Sequence, residues 1–166
     1  SNPNPVALAL MDDILYKQNL LTGNVFAEVT PIKNLVWHTE IGYSMNWDRG
    51  EVFNPTVNLG TWTRTKNYNS IQKSTGSFVQ FKNYLTYSGS FGKHSFTAML
   101  GQECWKSKWD NVRTEAQDLP TNTVHNPSLG DPSTFKISNG FGTSAMASFF
   151  TRETYNFDDR YLLTYT

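Results

Sequence analysis

The residues best suited to chemistry in this chain are tryptophans. Trp47, Trp62, Trp105 and Trp109 each fall near the end of a predicted strand or inside a long polar segment. A flat indole stacks on the C–H face of a sugar ring while neighbouring Asn and Asp bind its hydroxyls, so these four are the candidate substrate contacts. Trp62 and Trp109 lead, because they lie furthest from the apolar rows described below. The competing role for all four is packing or interfacial anchoring.

Other reactive types form no constellation. His38, His94 and His125 fall in a predicted strand, turn and loop, with no spacing to Cys, Asp or Glu that makes a metal set. Asp12 and Asp13 are adjacent, so their side chains diverge in helix or strand and cannot converge on one substrate. Asp158, Asp159 and Arg160 read as a solvated turn with local charge pairing. Cys104 is the single cysteine, which excludes an internal disulfide and fits a small, half-buried role. Neither a GxSxG nucleophile elbow nor a phosphate-binding GxxxxGK[ST] loop occurs. No catalytic residue, metal or cofactor is expected, and the chain reads as non-enzymatic.

Composition points the same way. Lys plus Arg and Asp plus Glu are 14 each in 166 residues, so there is no basic excess for nucleic acid. Aromatic residues make up 14% of the chain, yet mean hydropathy is −0.49. Many aromatics in a polar background suit alternating strands.

Period-two alternation appears in three places. In "GNVFAEVTPIKNLVWHTEIGYSMNWDRG", Val25, Ala27 and Val29 alternate with Phe26, Glu28 and Thr30. Beyond the break at Pro31–Asn34, Trp37, Thr39, Ile41 and Tyr43 alternate with His38, Glu40, Gly42 and Ser44. In "GSFVQFKNYLTYSGSFGKHSFTAMLGQECWKSKW", Phe96, Ala98 and Leu100 follow a turn near Gly89–Lys93. In "NGFGTSAMASFFTRETYNFDDRYLLTYT", Ala145, Ala147, Phe149 and Tyr155 precede a turn at Asn156–Asp159, and Tyr161, Leu163 and Tyr165 follow it. The expected hairpins are about 22–47, 76–108 and 141–166. Long loops are expected at about 48–75 and 107–140, with a short strand inside "LGTWTRTKNY", and a loop with a short helix over 1–19.

Tight turns and long loops alternate along the chain. In an up-and-down meander this puts the tight turns on one rim and the long loops on the other, the layout of an outer-membrane barrel. Aromatics near the turns (Tyr87, Phe91, Tyr155, Phe157, Tyr161) suit an interfacial girdle. The fold expectation is therefore all-β, antiparallel up-and-down hairpins forming a sector of a large outer-membrane barrel. The alternative is a soluble, non-catalytic carbohydrate-binding β-sandwich. One residue strains the barrel reading: Glu153 shares the parity of Phe149 and Tyr155, which either puts a charge on the lipid face near a turn or means a register error of one.

Four stretches, "NPVA", "GNVFAEVTPIKNLVWHTEIGY", "YLTYSGSFGKHSFTAMLGQE" and "SFFTRETYNFDDRYLLTYT", resemble the barrel region of SusC/RagA-type TonB-dependent outer-membrane transporters of Bacteroidetes. "HSFTAMLGQE" and "DDRYLLTYT" are the most specific. The resemblance implies a plugged barrel of about 22 strands importing glycan or peptide through TonB, capped by a SusD-like lipoprotein and surrounded by outer-membrane lipid. It places the plug and the TonB-contacting segment outside this sequence. The alternating run "NFDDRYLLTYT" stops mid-strand, and Ser1-Asn2 reads as a tag scar, so both ends are expected to be artificial boundaries. A barrel sector alone has open strand edges and a face meant for lipid. In isolation it is expected to self-associate or to rearrange into a sandwich-like sheet.

Overall fold

A computed structural model of the chain describes residues 6, 11–60 and 62–166. Its elements in order are β1 (Asp13–Ile32), β2 (Leu35–Asn54), β3 (Val57–Asn58), β4 (Thr63–Arg64), β5 (Tyr68–Phe91), β6 (His94–Gln117), β7 (Lys136–Phe157) and β8 (Tyr161–Tyr165). Single 3₁₀ turns at Pro127–Leu129 and Pro132–Thr134 shape the segment between β6 and β7. One six-stranded sheet runs β1-β2-β5-β6-β7-β8, and β3 pairs with β4 antiparallel beside it. Neighbours in sequence are neighbours in the sheet, as an up-and-down meander requires.

The chain turns where the residues allow it. Asn34 (φ 70°), Gly92 (φ 55°), Asp158 and Asp159 (both φ 53°) hold the left-handed conformations at the three tight turns. Asn, Gly and Asp are the types that adopt this region at least cost. The turn after β7 is tied to the turn after β5: Asp158 N–H donates to the Lys93 carbonyl at 2.8 Å, and Lys93 Nζ pairs with Asp158 Oδ2 at 3.0 Å. Asp158 and Asp159 are thus turn residues, as their context suggests.

The strands run longer than the expected hairpins. β5 and β6 have 24 residues each, β7 has 22, and β1 and β2 have 20. At about 3.3 Å per residue, the longest reach roughly 80 Å along the strand, against an outward apolar band of about 25 Å in a membrane barrel. Pairing therefore continues through polar sequence that reads as loop. The connections shrink to 55–67 and 118–135, against the expected 48–75 and 107–140. The expected short strand in "LGTWTRTKNY" is β4; Thr61 lies outside the described residues.

The N-terminal expectation needs a correction. Asp13 to Asn19 form strand, not loop or helix. Cross-strand bonds override the local spacing: Asn19 Nδ2 donates to the Trp47 carbonyl at 3.0 Å, and Asp12 pairs with Arg64 at 2.7 Å. Val6 and Met11 are helical; residues 1–5 and 7–10 of the expected loop and short helix lie outside the described residues.

Two compact units emerge, and every strand longer than five residues contributes to both. The turn-side unit comprises Leu21–Met45, Ser77–Lys108 and Thr143–Thr166. Side-chain contacts assign its two faces. Thr22 meets Ser44, Asn24 meets Glu40, Glu28 meets His38, Gly42 abuts Gln80, Gln80 meets Glu103 and Gly101 abuts Phe150. These residues define a polar face. The intervening residues form the other face, with Val25, Trp37, Ile41, Leu100 and Phe149 between 41% and 78% exposed. Trp37, Ile41 and Leu100 therefore lie on an open apolar surface rather than in a sealed centre, which removes the soluble-sandwich alternative: among the described residues no second sheet layer covers them.

At the turns this apolar face carries an aromatic cluster. His94 stacks on Phe91 (4.8 Å) and meets Phe157 (4.9 Å), its Nδ1 lies 2.6 Å from Tyr155 Oη, and Tyr87 meets Phe96 at 5.8 Å. Tyr161 pairs with Phe157 across β7 and β8. Glu153 is not a register error. It is the cross-strand partner of Tyr165, two residues from Tyr155, and it accepts a hydrogen bond from Thr151. Its charge sits near the turn, where the lipid-face penalty is small.

The second unit comprises Ser1–Leu20, Asn46–Gly76 and Trp109–Gly142. It holds the buried apolar residues found among those described: Phe53, Ala116 and Leu119.

Candidate functional site

The polar face of the turn-side unit centres on His38. Its ring is stacked between Phe26 (5.6 Å) and Tyr84 (4.5 Å), and Nδ1 lies 3.1 Å from Glu28 Oε1. Glu40 sits 3.6 Å from Nε2 and accepts from Asn24. Tyr84 continues to Phe150 at 6.4 Å. A buried imidazole held by two aromatic faces and two carboxylates is a packing element of the polar face. His125 is a second structural histidine: it stacks on buried Phe53 at 4.0 Å, with Glu51 and Asp13 at 3.5 and 3.7 Å. Among the described residues no three His, Cys, Asp or Glu side chains gather as a metal set.

In the second unit, the loop-side unit because it holds the 55–67 and 118–135 connections, long-range hydrogen bonds order those connections. Asn67 is buried between them. Its Nδ2 donates to the carbonyls of Leu119 (3.0 Å) and Thr121 (3.1 Å) and to Asn122 Oδ1 (3.2 Å), while its Oδ1 accepts from Leu119 N–H (2.6 Å). Asn122 reaches on to Thr56 through both its side-chain oxygen and nitrogen. A buried amide engaged through both its nitrogen and its oxygen ties the two connections together. Asp131 caps the turn at Pro132–Thr134 by accepting from Ser133 N–H at 2.9 Å; that backbone bond, then the Ser133 hydroxyl, and more weakly the Lys66 charge, hold its carboxyl below the usual range. Burial pushes Asp12 upward, but the Arg64 hydrogen bond, with help from Asn54, more than reverses this and leaves it lowered. Arg113 donates to Tyr68 Oη at 3.1 Å and to Ser70 Oγ at 3.0 Å. The alternation of the sequence carries no sign of these loop ties, because they join residues about 50 positions apart.

The four candidate tryptophans do not converge. Trp109 is half exposed and lies flat against β7, where a Cβ on Gly142 would come within 2.6 Å of its Nε1 and one on Gly140 within 3.2 Å of its ring. A side chain at position 142 would therefore displace the indole, and one at position 140 would crowd it. Asn111 reaches the same ground, its Oδ1 3.4 Å from a Gly140 Cβ position. Trp62 has the Arg64 guanidinium over its ring at 5.4 Å, so one of its faces is taken. Trp105 belongs to the turn-side unit and packs at 5.9 Å from Phe78. Trp47 continues the row of Trp37, Ile41 and Tyr43 along β2 and is 43% exposed.

Three comparisons with known proteins bear on this geometry. No protein-family model matches the chain. The TonB-dependent receptor P3 of Formosa agariphila is 27% identical over 165 residues, which is 98% of this chain and 16% of the receptor. Among solved structures, the RagAB peptide transporter superposes with a TM-score of 0.82 at 22% identity over 91% of this chain. The RagAB peptide importer in its open-open state gives 0.82 at 23% identity over 90%. The chain spans 17% of each of those chains. The resemblance read from the sequence is borne out, and the chain has the fold of a wall sector of a TonB-dependent outer-membrane transporter.

Proposed function

We propose that this chain forms part of the wall and outer loops of a nutrient importer that is energised through TonB, takes up glycan or peptide, and works with a SusD-like lipoprotein. The observation that carries this reading is the open apolar face: Ile41, Leu100 and Phe149 are 55%, 63% and 78% exposed while the opposite face carries Asn24, Glu40, Gln80 and Glu103 in mutual hydrogen bonds. A sheet wet on one side and apolar on the other, with loops on one rim, is what a barrel wall needs. The peptide-transporting neighbours support import without deciding between peptide and glycan for this protein.

Among the tryptophans, Trp109 is the best candidate contact. It is half exposed, its ring is held flat on two glycines, and Asn111 stands beside it. Trp62 and Trp105 are secondary, since Arg64 and Phe78 occupy part of their surfaces. Trp47 suits the lipid interface better than a ligand, because it extends the apolar row of β2.

The test is deletion of the gene carrying this sequence, followed by growth on defined glycans and on peptides as the limiting nutrient. Loss of growth on one class, restored by the intact gene and not by one lacking the TonB-contacting segment, is the expected result. Unchanged uptake of every class, with the protein abundant in the outer membrane, contradicts the importer reading.

A further inference from the structure

The loop-side unit contains a groove of about 260 Å³. Ile14 and Tyr16 of β1, Asp48 and Val52 of β2, Gln72 of β5 and Arg113 of β6 line it. These residues share the parity of Thr22, His38, Gln80 and Glu103 in the same four strands, the set whose contacts define the polar face. Contacts within the unit keep that phase. Tyr16 lies 3.5 Å from a Cβ position on Gly50, and Arg113 Nε donates to Ser70 Oγ at 3.0 Å. The groove therefore opens on the polar side of the strands, and all six side chains belong to that side.

Its charges are unevenly met. Arg113 is engaged by Glu115 at 2.7 Å, and Glu51, the other acid of the lining, by Arg49 at 3.0 Å. Asp48 accepts one hydrogen bond, from Asn46 Nδ2 to its Oδ2 at 2.9 Å. Its Oδ1 is buried without a partner, and among the described residues no Lys, Arg or His lies within ion-pairing distance of it. A shielded carboxylate beside aliphatic carbon lacks a cation, and the groove is where one can arrive.

We infer that this groove is a subsite for a lysine side chain of an imported peptide. The methylene stem lies on Ile14, Tyr16 and Val52, and the ammonium donates to Asp48, whose carboxylate turns easily about Cβ–Cγ to offer its free oxygen. The inference deepens the importer reading and rests on it, since it requires that this face meet the substrate. An amino sugar is disfavoured, because its ring hydroxyls would lie against Ile14 and Val52 without partners. Trp109 and Asn111 share this side of β6 with Arg113, and roughly 13 Å of strand separates Trp109 from Arg113. A peptide held against the indole can thus lay one side chain in the groove.

The experiment uses the whole protein carrying this chain, purified in detergent with any lipoprotein that accompanies it. Isothermal titration compares a capped Ala-Lys-Ala peptide with the same peptide carrying norleucine or Nε-acetyl-lysine, and with a glucosamine trimer. The lysine peptide should bind roughly tenfold more tightly than either uncharged peptide. Asp48→Asn keeps an oxygen for Asn46 and loses the charge, so it should abolish that preference; heat-modifiable mobility on gels checks its fold. Asp110→Asn, on the other face of β6 against Thr75, should bind as the parent does. Absence of a lysine preference in the parent, a result that needs no variant to fold, would overturn the subsite, as would an undiminished preference in Asp48→Asn. Tighter binding of the glucosamine trimer than of the lysine peptide would overturn the assignment to peptide. The importer reading survives each of these if growth on peptides depends on the gene; growth on every nutrient class without the gene would overturn that reading itself.

Discussion

Single residues in this chain act mostly by shape. Trp109 sits where it does because β7 offers Gly140 and Gly142 beneath the ring. If the indole is a ligand platform, Trp109→Ala should weaken substrate binding by about tenfold, within the 0.5–1.5 kcal/mol range of aromatic contacts. Gly142→Val should do the same by unseating the ring without removing it. Isothermal titration with the cognate substrate measures both; unchanged affinity in both variants would assign the indole to packing alone. His38 shows the opposite case. Its type suggested chemistry, but Phe26, Tyr84 and two carboxylates enclose it, and its role is to pack the wet face.

Elements owe their faces to alternation. On β7, Ala147 and Glu153 share a side, yet their tolerance to charge should differ with depth. Ala147→Arg, in the apolar band, should cost about 2–4 kcal/mol, whereas Glu153→Arg near the turn should cost about 0–1. Urea unfolding of the protein in detergent distinguishes the two, and similar costs would mean that this face does not meet lipid. The loops follow other rules. Asn67→Ala removes four hydrogen bonds that fasten 119–122, so amide exchange there should rise by at least tenfold with the strands unaffected. Asp12 and Asp131 have lowered pKa values, so their contribution is present above the ordinary carboxylate range near 4 and is lost as pH falls through the still lower folded values. Protection factors in the 118–135 segment, corrected for the intrinsic pH dependence of amide exchange, should accordingly fall as pH drops below 4.

For the whole molecule, the decisive quantity is what remains uncovered. β1 is exposed along its full length, and the buried apolar residues among those described are Phe53, Ala116 and Leu119. So small a core cannot offset the ordering of long strands. The 166-residue chain expressed by itself should form oligomers or aggregates in buffer without detergent, measured by sedimentation velocity. A well-folded soluble monomer would contradict the wall reading.

Much of this was legible in the residue order. Period-two runs mark the strands, because a pleated chain must send alternate side chains to opposite environments. The turns announce themselves through Asn34, Gly92, Asp158 and Asp159, whose types tolerate left-handed backbone. The aromatic cluster at the turns follows from the same counting. Alternation could not reveal how far the strands extend into polar sequence, nor that Asp13–Asn19 join the sheet, because pairing there depends on partners such as Trp47 and Arg64 distant in the chain. Tertiary structure alone decided which tryptophan keeps a free face, which histidine is enclosed, and that Asn67 ties two loops together. The seat of Trp109 on Gly140 and Gly142, the stacking of Tyr84 on His38 and the ties of Asn67 join residues about 30 to 50 positions apart, and no local pattern encodes such contacts.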